Sequence, residues 1–181
     1  IFSAHYQSGI PGLFGGIILS IGLASYVFAM YETTVANANF IIQTQALFLA
    51  IFGYVFLKEK ISKITLTCII TAVVGIILML GTSLTPGQMT GNVVAFIMPI
   101  SFAILILIVR KYPKVDMIPL QLVAGIFATL IGLFMSPSII VSTNDIFLAF
   151  IAGFFQVGLG FMLITIGARS TPSAFVGIIM L

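Results

Sequence analysis

The stretch TTVANANFIIQTQALFLAIFGYVFLKEK, Thr33 to Lys60, decides how the rest of the chain is read. It is long enough to cross a bilayer, whose hydrocarbon core takes about 20 residues of helix. Its first half carries Asn37, Asn39, Gln43, Thr44 and Gln45. Its second half is apolar to Leu57, where Lys58, Glu59 and Lys60 arrive together. Polar side chains inside a membrane helix are costly unless they face protein or water. This helix is therefore expected to line a path for something polar. Asn39 and Gln43, four apart, share one of its faces.

The whole chain agrees with a membrane setting. It has 181 residues, 61% of them hydrophobic and 6% charged, with a mean hydropathy of +1.30. A soluble domain of that length needs far more charge to cover its surface. No basic patch is interleaved with polar surface, so nucleic acid is not an expected partner. The expected partners are the lipid bilayer and a small-molecule substrate. The single cysteine, Cys68, excludes an intrachain disulfide and a thiolate cluster, and reads as a small apolar helix residue. The chain stops at Leu181 inside the apolar run FVGIIML, from which a piece of a longer protein is expected.

Outward from the opening stretch, the same yardstick gives six complete spans, at about 10–30, 33–57, 62–81, 91–109, 117–135 and 146–168. A seventh begins after Pro172. In the first, Gly12, Gly16, Ser20 and Ala24 recur every fourth residue, giving a flat face that another helix can approach closely. Thr65, Thr67 and Thr71 of the third can bond back to their own helix. Pro86-Gly87 marks a turn, and Pro99, with Ser101 nearby, predicts a kink in the fourth span. Gln121, Gly125 and Thr129 share a face of the fifth.

The seven basic residues fall in three places: Lys58, Lys60 and Lys63; Arg110, Lys111 and Lys114; and Arg169. These lie two spans apart each time, so an alternating path puts them on one side. The positive-inside rule makes that side cytoplasmic, and the expected location is the cell membrane, multi-pass. A shift of 136 residues lays the first span on the sixth: Phe14 meets Phe150, and Gly16-Ser20-Ala24 falls on Ala152-Gln156-Gly160. An offset of five spans inverts the second copy, and inverted repeats place a carrier's binding site near the midplane.

Thr34 to Leu80 resembles the repeat of the EamA-like transporters of the drug/metabolite transporter superfamily. The resemblance rests on the helix entry Val35-Ala36-Asn37-Ala38, on Leu57-Lys58-Glu59-Lys60-Ile61-Ser62, and on the ending Gly75-Ile76-Ile77-Leu78. Gly91 to Lys111 is similar to the first helix of the second copy. The resemblance implies an all-α polytopic protein of ten helices in two inverted five-helix repeats. Residues 1–85 would be the later part of the first repeat, helices three to five. Residues 86–181 would be the earlier part of the second, helices six to eight and the start of nine. Where the family often has a proline in its fourth helix, Gln45 stands near that point, which leaves the helix break there open.

The expected activity is secondary transport of a small polar or amphipathic metabolite by alternating access. Asn39, Gln43 and Gln156 are the first candidates for cargo contact, with Ser20, Tyr26 and Ser101 behind them. The alternative is a membrane scaffold whose polar residues only hold helices together, or a truncated product with no activity. Glu59, between two lysines at a helix end, is expected to form a structural ion pair. No complete span has a charged residue at its centre, and His5 precedes the first span. An enzyme is not expected: there is no GxSxG, HExxH or P-loop, and both aspartates lie in loops. Neither a cofactor nor a metal is called for.

Overall fold

The computed structural model describes residues 2–60, 62–82, 89–136 and 141–179, and every element in them is helical. The Pro86-Gly87 turn, residues 137–140, the last two residues and the side chain of His5 lie outside that description. The elements are α1 (Phe2–Glu32), α2 (Val35–Gln43), α3 (Gln45–Leu57), α4 (Lys63–Thr82) and α5 (Met89–Ala95). They continue with α6 (Ile97–Lys111), α7 (Leu120–Met135), α8 (Thr143–Ile151), a wider π-helical segment (Ala152–Leu159), α9 (Gly160–Ala168) and α10 (Ser173–Ile179).

Four helices are long and apolar enough to cross a membrane: Gly9–Glu32, Val35–Leu57, Met89–Lys111 and Thr143–Ala168. The chain is therefore a multi-span α-helical membrane protein. α4 and α7 occupy the other two expected positions. α7 has 16 residues, about 24 Å of helix against a hydrocarbon core of about 30 Å. The first long helix is set off from residues 2–8 by Gly9, whose φ of 54° only glycine adopts readily, and Pro11 follows in its first turn.

Lipid tails are as apolar as leucine, so helices associate in a membrane through close packing and hydrogen bonds. Glycines supply the close packing here. A Cβ on Gly16 would sit 2.6 Å from the Cβ of Val123 on α7 and 2.9 Å from the Leu120 carbonyl. One on Gly22 would meet the Cβ of Ser101 on α6 at 2.9 Å. Gly16, on the small-residue face of the first span, thus seats α1 against α7, while Gly22, off that face, seats it against α6. Gly91 lets the start of α5 rest on the Glu32 backbone, and Gly177 lets α10 lie on Ala46 of α3.

α2 packs on α5 and α3 packs on α6, so the two spans run parallel. Both are broken part-way. In the first, the Thr44 N–H donates to Ile41 O at 3.0 Å, and the Leu47 N–H donates to Thr44 O at 2.9 Å. These are tighter three-residue bonds, so the helix breaks here although no proline stands at Gln45. In the second, Pro99 has no N–H for the Ala95 carbonyl, and the break falls three residues earlier, at Phe96. The helical ladder is thus interrupted near Pro99, one turn toward the carbonyl that proline leaves free.

Buried side chains form two clusters. One gathers Leu19, Leu49, Phe102, Leu105, Ile106, Val109, Met117, Leu120, Ala168 and Val176 among its members. The other contains Ala29, Ala38, Ile41 and Ala95. On α4, Thr67 donates to Lys63 O and Thr71 to Thr67 O, each at 3.0 Å. Those threonines are satisfied within their own helix.

Candidate functional site

The polar half of the opening stretch divides by face. Thr33, Asn37, Thr44 and Gln45 point into protein. The Thr33 hydroxyl donates to Asn92 Oδ1 at 2.6 Å and accepts from Asn37 Nδ2 at 3.4 Å. This neutral network joins the α1–α2 connection to α5. Thr34 caps α2 by accepting from the Asn37 N–H at 3.1 Å. Asn92 begins a span in sequence and gives no local hint of its partner.

The outward face carries Asn39 and Gln43, both exposed. Asn39 is partly engaged. It donates to Val35 O at 2.9 Å and accepts from the Tyr26 hydroxyl at 3.2 Å. Two of the candidate residues are thereby brought together across α1 and α2. Gln43 makes no hydrogen bond among the described residues, nor does Gln45, which is 4% exposed. Beside them the buried Thr44 hydroxyl has no partner among the described residues.

Ser20 is wholly buried and donates to Ile17 O on its own helix at 2.7 Å. Ser101 is buried under Gly22. Gln156, which the expected repeat would pair with Ser20, has a different environment: it sits exposed in the π-helical segment, without a side-chain hydrogen bond among the described residues. None of α8 or the π-helical segment is buried, so Gln156 stands apart from Asn39 and Gln43 in this conformation. Such π turns recur at functional positions because the extra residue opens the backbone ladder. Nearer the Arg169 end of that span, Gln121 donates to Thr165 Oγ1 at 3.2 Å, tying α7 to α9.

At the end of the bundle where α3, α6 and α9 terminate, charges interlock. Glu59 meets Arg110 at 2.5 Å and accepts from the Ser173 N–H at 2.9 Å. Arg110 also donates to the Thr171 and Ala168 carbonyls. Arg169 pairs with Asp116 at 2.9 Å. The geometry of Glu59 is prepared locally. Lys58 takes a left-handed conformation, φ 55° and ψ 33°, which turns the chain back over α3. Gly53 leaves the space, since a Cβ there would lie 2.8 Å from Glu59 Oε2. Glu59 is thus ion-paired, with a distant arginine and not with its lysine neighbours. The clue in sequence is that two carboxylates, Glu59 and Asp116, lie among three basic clusters on one side of an alternating path.

A cleft of about 530 Å3 opens between α1 and α7, lined by Leu23, Val27, Phe28, Ile131 and Met135, with Tyr31 and Ser136 as its polar members. A shallower groove runs along Gln121, Gly125 and Thr129 of α7. Neither contains Asn39, Gln43, Gln156, Ser20, Tyr26 or Ser101. Among the described residues no group of three His, Cys, Asp or Glu side chains could hold a metal ion.

Several membrane helices, glycine-seated contacts and neutral amides in the spans define the general class of a polytopic α-helical membrane protein. The model of the EamA-like transporter family matches residues 5–81, and that segment is an EamA-like domain of the drug/metabolite transporter superfamily. The family is one of transporters, not enzymes. No curated protein and no solved structure matches the chain.

Proposed function

We propose that the protein is a secondary carrier that moves a small polar or amphipathic metabolite across the cytoplasmic membrane by alternating access. The observation that supports this reading best is the pair of amides Gln43 and Gln156, each exposed within a long apolar helix and unbonded among the described residues. An amide without a partner in hydrocarbon is costly, and water or a polar solute removes that cost. Gln43, Asn39 and Gln156 contact the cargo through neutral hydrogen bonds, and Tyr26 orients Asn39. Ser20 and Ser101 reach the cargo only when α1 and α6 part. The six spans belong to two inverted five-helix repeats, divided near residue 85, with the Arg110–Arg169 end in the cytoplasm.

A scaffold reading draws on the Thr33–Asn92 and Tyr26–Asn39 bonds, which hold helices together. Counterflow in proteoliposomes separates the two. Amino acids, nucleosides and small amphipathic cations would be preloaded in turn. Saturable exchange of one class, lost in a normally folded Gln43→Leu variant, is the carrier outcome. Exchange with unchanged kinetics in that variant removes Gln43 from the site. No exchange of any solute moves the assignment to the scaffold.

A further inference from the structure

The two helix breaks lie near each other, and the end-to-end ties of the two spans they interrupt fall on opposite sides of them. Thr44 separates α2 from α3, and Phe96 separates α5 from α6. α2 packs on α5 and reaches the start of α6, and α3 packs on α6, so the breaks fall near each other in two parallel spans, Thr44 slightly beyond Phe96. On one side of them are Ala38, Ile41 and Ala95, with the Thr33–Asn92 bond at the far end. On the other are Leu49, Phe102 and Val109, with the Glu59–Arg110 pair at the opposite end. The buried residues of α2 and α5 that cluster do so apart from those of α3 and α6.

We propose that Thr44 and Phe96 form a single hinge, about which the half of the molecule holding Glu59 and Arg110 turns as a unit against the half holding Thr33 and Asn92. The backbone is prepared for bending at both points. Pro99 deletes the bond that would hold α5 in line with α6. Thr44 is prepared by its side chain. Thr67, Thr71, Thr129 and Thr165 each donate to the carbonyl four residues back, as threonine does in a regular helix. Thr44 is buried and does not. A buried hydroxyl without a partner calls for an explanation, and a second conformer in which the break straightens supplies one.

α1 runs unbroken past both halves and must let one of them move. It is joined by the chain itself, through Thr33 and Thr34, to the half that holds α2. It meets the other half through Gly15, Gly16 and Gly22, with Leu105, Val123 and Ser101 opposite. Leu19 of α1 is buried among the core side chains of that half, so the turn has to repack this contact as well. The use of this hinge in transport rests on the carrier reading above; the hinge itself does not.

The test is distance measurement between spin labels on the full chain in lipid nanodiscs, in a Cys68→Ser background. One cysteine pair crosses the breaks, Val93→Cys with Tyr54→Cys. Two pairs stay within a half, Val27→Cys with Val93→Cys and Tyr54→Cys with Phe175→Cys. All four positions are exposed. The crossing pair is expected to give two distances and each internal pair one. Pro99→Ala, which returns an N–H to the Ala95 carbonyl, is expected to abolish one of the two. Thr44→Val keeps the shape, removes the orphaned hydroxyl and is expected to leave only the bent form, so a failure of Pro99→Ala to fold does not spare the proposal. One distance for the crossing pair in the unsubstituted protein, or two for the internal pairs, overturns the hinge. Two distances across the breaks without exchange of any solute keep the hinge and remove the carrier.

Discussion

The carboxylate of Glu59 and the guanidinium of Arg110 meet at 2.5 Å, joining the ends of two parallel spans that are far apart in sequence. Both side chains are mostly buried, at 17% and 19% exposure. Exposed pairs contribute about 0–1 kcal/mol, whereas removing one partner of a buried pair costs about 3–5 kcal/mol. Arg110→Gln is expected to cost on the order of 2 kcal/mol, between those limits. It also leaves the Glu59 charge facing only Ser173. Thermal unfolding in detergent checks this. The Glu59→Gln/Arg110→Gln double variant should lose less than the sum of the single ones; additive losses would show that the pair is not coupled.

Gly16 and Gly125 lie on helices that take part in the same packing but have opposite surroundings. Gly16 has Val123 within 2.6 Å of a would-be Cβ, while Gly125 has nothing within 4 Å. Gly16→Ala is expected to destabilise by about 1–3 kcal/mol through overpacking. Gly125→Ala should be neutral or slightly stabilising, because alanine is the better helix former. Equal melting temperatures for the two variants would contradict the close α1–α7 contact.

Thr33→Val removes the hydroxyl that both Asn92 and Asn37 use. Hydrogen bonds between membrane helices average about 0.6 kcal/mol and reach about 1.7. A loss near the upper end is expected, since two amides are stranded at once. Asn39→Ala breaks two exposed bonds, from the Tyr26 hydroxyl and to the Val35 carbonyl, and should lose less. The opposite ranking in unfolding would displace Thr33 from the centre of that network.

Gln43→Leu and Gln156→Leu remove no hydrogen bond among the described residues, so melting temperature should change little. The expected effect is on flux: a raised half-saturation concentration of about tenfold for each lost cargo bond, or 1.4 kcal/mol. Lowered stability with unaltered exchange would assign both amides to helix contacts outside the described residues.

Orientation is checked by single cysteines in the Cys68→Ser background. With the basic end in the cytoplasm, an impermeant maleimide applied to intact cells labels Tyr31→Cys and spares Tyr112→Cys. The reverse pattern inverts the protein in the membrane.

Much of the fold is legible in sequence because a bilayer imposes a length and a hydropathy that few residues can disguise. Helices fall at all six expected positions, and the break near Pro99 follows from a missing N–H. The break at Thr44 is harder to foresee, since it comes from a local change of hydrogen bonding with neither proline nor glycine present. Side-chain environment was less legible still. Ser20 and Gln156 align under the 136-residue shift of the sequence, yet one is sealed against its own backbone and the other is bare. Such a shift speaks to depth along a helix, while burial depends on which neighbours cover the face. The same limit applies to Glu59, whose adjacent lysines suggest local pairing until the turn at Lys58 aims it at Arg110.

The parallel spans are tied by neutral amides and a hydroxyl at one end and by opposite charges at the other. Dissolved ions screen a charge pair that water can reach and leave a bond between uncharged groups almost untouched. Both ion pairs of the described residues lie at the charged end, so ionic strength acts there first. Raising it on that side weakens chiefly the more exposed Arg169–Asp116 pair, while the Thr33–Asn92 bond hardly feels the same change.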